Sequence, residues 1–384
     1  MQKYEKKGLR WLPYILLALG LGLLLLSKVA PAFVDRFYVR GVYRAVAQAV
    51  SYVVSWIPFS VAEVSLYGLV LWLLFQLGRG VVRSVRTPQA AGKLWKGYGR
   101  DLWRGAVYVL AVFLLHCGVN YYRVPLAQQL GYTLAPASAE ELTTMAQAML
   151  LETNQAATRV RRNPEGVFLP NHTFDGMKAS VQQAYDSMAV ALSGTFSGRF
   201  PATKPIMASH YMSYTQIMGF FFPWTLEANI NKDVPVFWHP SLIAHEQAHV
   251  HGFMREEEAN FIAFLVGRYT LDPDLTYSAW LHTYIYVLNA VSQVNPQAHA
   301  QLVAGLAPQV KHDLLQNNAY WDGFQSKLGE VSSKVNDAYL KANGQAEGVR
   351  SYGLVVDLLL ADFKKNAASM QQTTTPSVYM GESK

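Results

Sequence analysis

Three long apolar runs limit what this chain can fold into more than any other feature: Trp11 to Ser27, Val61 to Gly78 and Gly105 to Tyr121. A bilayer's hydrocarbon core is about 30 Å thick, and a helix crosses it with roughly 20 apolar residues. The pattern predicts transmembrane helices over about 11–33, 61–78 and 105–121. No small-x-small cleavage site follows the first run cleanly, so it reads as an uncleaved anchor, not a signal peptide.

Charge orients these helices. Residues 1–104 carry 15 Lys/Arg against four Asp/Glu, whereas residues 105–384 carry 18 against 22. The basic N-terminus and the 78–104 segment, with seven Lys/Arg and one acid, both belong in the cytoplasm by the positive-inside rule. Everything from about Tyr122 onward is then extracytoplasmic. The expected organisation is a membrane anchor over 1–121, an extracytoplasmic domain over 122–366 and a polar, disordered tail over 367–384. Basicity confined to the anchor points to membrane lipids as partners and away from nucleic acid. The single cysteine, Cys117, excludes an internal disulfide framework and a cysteine-based metal site.

Between the first two runs, Arg36, Arg40 and Arg44 recur every four residues. Val34–Phe59 is therefore read either as an amphipathic helix on the bilayer or as a surface helix of the outer domain. Residues 78–104 read as a loop. Beyond the anchor the composition is mainly helical. Ser138 and Glu141 form a capping-box pattern before a helix to about Arg159, and a second helix spans Phe174 to Leu192. Residues 194–205 are a break, and the aromatic and branched residues of 217–222 and 226–230 are strands. Helices follow at about 274–294, 297–318, 320–342 and 347–365. The fold class expected is mainly α with a small β-sheet. His282, Asn289 and several tyrosines make 274–294 a buried helix rather than a fourth span.

The chemistry concentrates in SLIAHEQAHVHGFMREEEANFIAF at 241–264. On a helix, His245 and His249 share one face. Two neutral imidazoles at that spacing suit Zn²⁺, with room for a third ligand. Glu246 stands where a carboxylate can take a proton from an attacking water. Pro240 fits the start of this helix and Gly252 its left-handed end. In the next segment Glu256 and Asn260 are four apart, so Glu256 can reach the same metal while Asn260 hydrogen-bonds a ligand from behind. Glu258 is the alternative third ligand.

The H-E-x-x-H followed by E-x-x-A-N resembles the gluzincin metallopeptidases, whose third zinc ligand is that first glutamate. The resemblance implies His245, His249 and Glu256 as ligands and Glu246 as the catalytic base. The third histidine of a metzincin would fall at 255, where Arg255 stands. In gluzincins an edge strand before the zinc helix pairs antiparallel with extended substrate, so the strands of 217–230 either take that part or form a small sheet that only supports the helix. His282, Tyr277, Tyr284 and Tyr352 have the chemistry to stabilise an oxyanion. Three phrases, GFFFPWTLEANIN at 219–231, AHEQAHVHGFMREEEANFIAFL at 244–265 and VNDAYLKANGQAEGVRSYGLVVDLLL at 335–360, resemble the bacterial membrane family catalogued as domain of unknown function 3810. That resemblance implies a multi-pass protein of the bacterial cytoplasmic membrane. Asn336, Tyr339, Lys341, Asn343 and Tyr352 of the last phrase are placed either in the cleft or in helix packing.

Two functions fit these residues. One is a membrane-anchored zinc metallopeptidase acting on a peptide or protein substrate. The other is a non-enzymatic membrane sensor or scaffold that retains a zinc site. An intact Glu246 favours the enzyme, because a structural site has no use for a base beside its ligand.

Orientation is testable in intact cells. A membrane-impermeant thiol reagent should label a cysteine placed at 370–384 and spare one placed at Lys93; the reverse labelling would invert the topology.

Overall fold

The structure, a computed structural model, describes residues 10–192, 194–347 and 354–374, with side chains to residue 366. It is mainly helical, and three helices are long and apolar enough to cross a membrane. The first, α1 (Leu12–Val29), stops short of the expected Phe33. Pro31 lacks an N–H and disfavours helical backbone at the residue before it, and Ala30 leaves the helix there.

The next segment corrects the basic stripe. Asp35–Tyr43 winds as a π-helix before α2 (Arg44–Ser55), so residues four apart no longer stack. Arg40 Nε instead reaches back five residues to Asp35 Oδ2 at 2.6 Å, and Arg44 donates to the Thr195 carbonyl. Val39, Tyr43 and Ala47 are buried against Phe200, Leu226, Ala228 and Val250. The outer-domain alternative therefore describes the inner face of this segment, while Val46, Val53 and Trp56 stay exposed on the other.

The 78–104 segment is not a loop. It forms the C-terminal part of α3 (Val61–Arg86) and the N-terminal part of α4 (Pro88–Phe113), separated by Thr87 alone. At 1.5 Å per residue each helix is roughly 39 Å long, more than the roughly 30 Å of a bilayer's hydrocarbon core. Lysine and arginine are good helix formers, and the hairpin closes where Trp95 packs on Gly80. A Cβ there would lie 2.7 Å from the indole. At its C-terminal end α4 continues through a π turn (Leu114–Gly118) and a 3₁₀ turn (Val119–Tyr122).

The domain that follows these helices begins with α5 (Ala139–Ala157), with its capping box formed, and α6 (Phe174–Ala191). A three-stranded sheet follows, β1 (Thr203–Pro205), β2 (Gly219–Phe222) and β3 (Glu227–Ile230), in the order β1–β3–β2. β1, parallel to β3, falls in the segment read as a break. Next come α7 (His239–Val250), α8 (Glu256–Arg268) and α9 (Pro273–Val294). α9 is packed inside the domain through Leu281, Tyr284 and Val287, as expected of a buried helix. The C-terminal helices break differently from the reading: α10 (Pro296–Ala304), α11 (Pro308–Asp322), α12 (Lys327–Ala342) and α13 (Val355–Thr374). Pro308 starts a new helix where one continuous helix was expected, and α12 begins only after the Gly323–Ser326 turn. α13 reaches Thr374, into the stretch expected to be disordered, and residues 375–384 lie outside the described residues.

Anchor and domain are joined by buried polar bonds. The Glu227 carboxylate accepts the first free amides of α3, Val61 N at 2.9 Å and Ala62 N at 2.7 Å, and the Thr225 hydroxyl at 2.6 Å. Glu63 of α3 reciprocates by accepting Met207 N and Ala208 N. A carboxylate at a helix N-terminus also meets the positive end of the helix dipole.

Glu227→Ala would leave two amides and a hydroxyl buried without an acceptor. A loss of roughly 3 kcal/mol is expected, since each charge-assisted bond removed costs about 1.5–3 kcal/mol less whatever water recovers. The measurement is the thermal midpoint in detergent. An unchanged midpoint would show that this tie does not hold the domain on α3.

Candidate metal centre

Every residue of α7 is buried. The helix has no solvated polar face, so each of its polar side chains must find a partner inside the protein. Gln247 donates to Thr203 Oγ1 on β1 at 3.0 Å, and the α7 backbone carbonyl of Ala244 accepts the Tyr185 hydroxyl at 2.7 Å. Gly252 ends the segment with φ +87°, as its left-handed position requires. A Cβ there would also crowd the Tyr43 ring, at 3.1 Å.

His245, His249 and Glu256 converge. His245 Nε2 lies 3.2 Å from His249 Nε2 and 3.4 Å from Glu256 Oε2, and His249 Nε2 lies 3.8 Å from the same oxygen. Ligands about 2.0–2.1 Å from a tetrahedral zinc sit roughly 3.3–3.4 Å apart, so the spacing of these three atoms suits one ion. Glu256 is brought in because the short 251–255 turn sets the first turn of α8 against α7. Behind the ligands, His249 Nδ1 bonds the Phe253 carbonyl at 2.7 Å, which directs Nε2 inward. Asn260 stands against both His245 and the Tyr286 hydroxyl, as its spacing from Glu256 led one to expect.

The electrostatics of the cluster suit metal ligation. Burial pulls His249 down to about 4, leaving the neutral imidazole a metal needs. At His245 burial acts in the same sense but is outweighed by the Glu256 carboxylate, and the net shift is upward. Glu246 is pushed up to about 8 by burial, with charge on His245 opposing the shift. Its Oε2 is buried with no partner among the described residues, and its Oε1 faces Gly219 of β2. A Cβ on Gly219 would fall 2.6 Å from that oxygen. Glycine is thus the residue that lets the edge strand lie against the carboxylate.

The remaining expected residues divide. Glu258 lies outside the cluster of His245, His249 and Glu256 and is engaged structurally, accepting Leu126 N at 2.7 Å and Arg255 Nη1 at 2.9 Å. His282 lines the cavity over the site and stacks on Tyr286, one turn on. Tyr277 donates to Asp313 in the core and Tyr284 is buried there, both away from the cavity. Tyr352 lies outside the described residues. Asn336 and Tyr339 line the cavity, while Lys341 pairs with Asp337 and Asn343 bonds the Tyr339 carbonyl.

Sequence reasoning missed two contributors. Tyr286 sits four residues after His282, a spacing that could have marked it. The second is the anchor itself. The cavity, about 690 Å³, is walled on one side by Phe113, Cys117 and Tyr121 at the C-terminal end of the third long apolar helix. His116 of the same helix bonds the Pro223 carbonyl at the β2–β3 turn at 2.7 Å.

Purified protein should hold about one zinc, and His245→Ala, His249→Ala and Glu256→Ala should each lose it by elemental analysis. Glu258→Ala should keep the metal but melt lower. Zinc lost from Glu258→Ala and retained by Glu256→Ala, at equal foldedness, would reverse the ligand assignment.

Neither a curated protein nor a solved structure matches the chain. One family model does, over residues 38–360, which takes in two of the membrane helices together with the whole cavity. The chain belongs to that family, described as Protein of unknown function (DUF3810).

Proposed function

We propose that the protein is a membrane-anchored zinc metallopeptidase with its hydrolytic domain on the extracytoplasmic side. One observation carries this reading: three ligand atoms at metal spacing share a cavity with a buried carboxylate whose Oε2 has no partner among the described residues. A purely structural site needs the ligands and has no use for that carboxylate.

His245, His249 and Glu256 would hold the ion, which when bound supplies Lewis acidity and makes water a nucleophile at neutral pH. Glu246 takes the proton from the attacking water and passes it to the departing amine nitrogen. Its burial raises its proton affinity toward the working range of a general base. His282 and Tyr286, on one face of α9 above the ligands, are the donors available to a developing oxyanion.

β2 supplies positioning. It is the edge of the sheet, paired only with β3. Ladder bonds alternate along an antiparallel pair. Asn231 N donates to Met218 O, and the amide of Ala228 is used by β1. Phe220 therefore pairs inward with Asn229, and the amides and carbonyls of Gly219 and Phe221 face the free edge. An extended peptide laid there would place its backbone beside Glu246.

Glu246→Gln keeps shape and a hydrogen bond but cannot take the proton. Zinc content and thermal midpoint should stay while peptide hydrolysis falls by about 10²–10⁴-fold. A zinc-replete wild type that cleaves nothing in a broad peptide library, with Glu246→Gln cells behaving as wild type, would favour the sensor or scaffold. Gly219→Ala should also lose activity with zinc retained, because its methyl displaces Glu246 but touches no ligand.

A further inference from the structure

We infer that the cavity is filled from the bilayer side, so that the substrate is a polypeptide held in the membrane by a lipid or helical anchor and cut within a few residues of the membrane boundary. This rests on the peptidase reading for the cutting, but the placement of the cavity stands on separate observations.

The first is where the third membrane helix meets the outer domain. Tyr108, Val109 and Leu110 are about half exposed on a helix apolar enough to span a membrane. The Val109 carbonyl accepts the Trp224 indole N–H at 3.1 Å, and Phe113, one turn further, already lines the cavity. One helical turn is about 5.4 Å, so lipid-facing and cavity-lining surfaces are adjacent. Trp224 sits at that junction, as tryptophan does at membrane interfaces.

The second is the direction of β2. Phe222 packs on Trp224, with ring centroids 4.8 Å apart, and Gly219 stands beside Glu246. Three residues of strand span roughly 10 Å. A peptide on this edge therefore runs from the membrane boundary to the carboxylate in that distance.

The third is α12, which covers the cavity with Ser332, Asn336 and Tyr339. Leu328, Val331, Val335 and Tyr339 fall within about 80° of arc at 3.6 residues per turn, with Glu330 and Asp337 opposite. Leu328, Val331 and Val335 are 53%, 55% and 63% exposed. An apolar stripe of this kind, with charges on the far side, is the pattern of a helix lying in a membrane interface. The occupant of that stripe is the bilayer, because Phe113 of the spanning helix packs on Tyr339 of the same stripe and continues its apolar surface.

The test uses the full-length protein in liposomes of phosphatidylethanolamine and phosphatidylglycerol. The single native thiol is buried, so wild type serves as the unlabelled control. Nitroxides on Leu328→Cys and Val331→Cys should be reached by oxygen and shielded from a nickel chelate, whereas one on Glu330→Cys should show the opposite. In parallel, a cleavable peptide is offered with and without an N-terminal acyl chain. The acylated form should be preferred by at least about tenfold, with cuts close to the acylated end. Leu328→Glu/Val331→Glu should erase most of that preference without losing cleavage of the soluble form. Nickel-accessible labels at all three positions would place α12 in water and overturn the inference. Equal cleavage of both peptides would overturn the substrate class and leave the peptidase standing. Lipid-shielded labels with no cleavage of either peptide would sink the peptidase reading and the substrate class with it.

Discussion

The structure turns on the complete burial of α7, twelve residues that include His239, His245, Glu246 and His249. Burying an ionisable group costs several kcal/mol unless it is neutralised, paired or bound to a metal. The surroundings of α7 are the means by which that cost is met. Glu256 comes in from α8, the Phe253 carbonyl takes the His249 N–H, and Asn260 stands behind His245. Among the atoms of α7 that find no partner among the described residues are His239 Nε2, His245 Nδ1, Gln247 Oε1 and Glu246 Oε2, and of these residues His245 and Glu246 line the cavity with His249 and Glu256. The unmet groups are where a reaction has something to gain.

The same economy explains why the membrane helices cannot be treated as a tether. α3 starts inside the domain, its first amides held by Glu227 of β3, the strand that carries β2 at its edge. Behind the metal turn, the buried Arg123 guanidinium lies 3.7 Å from the Phe253 ring centroid, pairs with Asp35 and donates to the His251 carbonyl. The π-wound segment between the first two spans thus supports the turn that positions both His249 and Glu256. Removing the anchor would strip acceptors and donors from the site's own scaffold, so anchor and site form one packed unit. The family match is consistent with this, beginning within the π-wound segment instead of at the outer domain.

Gly219 shows how tightly sheet and site are fitted. The edge strand approaches the carboxylate so closely that a single methyl would collide with it. This closeness brings the free backbone groups of β2 to the reacting centre. It also gives the four-residue β2–β3 turn, with Trp224 at its tip, a second use as the contact with the membrane helix.

The sequence by itself determined the three helices long and apolar enough to cross a membrane, the mainly helical class, the α7 motif, its Gly252 stop and the four-residue spacing of Glu256 and Asn260. These follow from local rules: apolar length against bilayer thickness, residues four apart on one helix face, and the φ that only glycine takes without strain. Only the tertiary structure placed Glu256, and not Glu258, beside His245 and His249, because both sit in the first turn of α8 and Arg255 and the Leu126 amide claim Glu258. It also decided that the basic 78–104 stretch is a helical hairpin, that Arg36, Arg40 and Arg44 form no stripe, and that Thr203–Pro205 is a strand. Charge composition does not distinguish a solvated loop from a helix end beyond the bilayer, and three residues of strand carry no period to read. The wall contributed by Phe113, Cys117 and Tyr121 was beyond any local rule, since it joins positions more than a hundred residues from α7 through the packing of the whole chain.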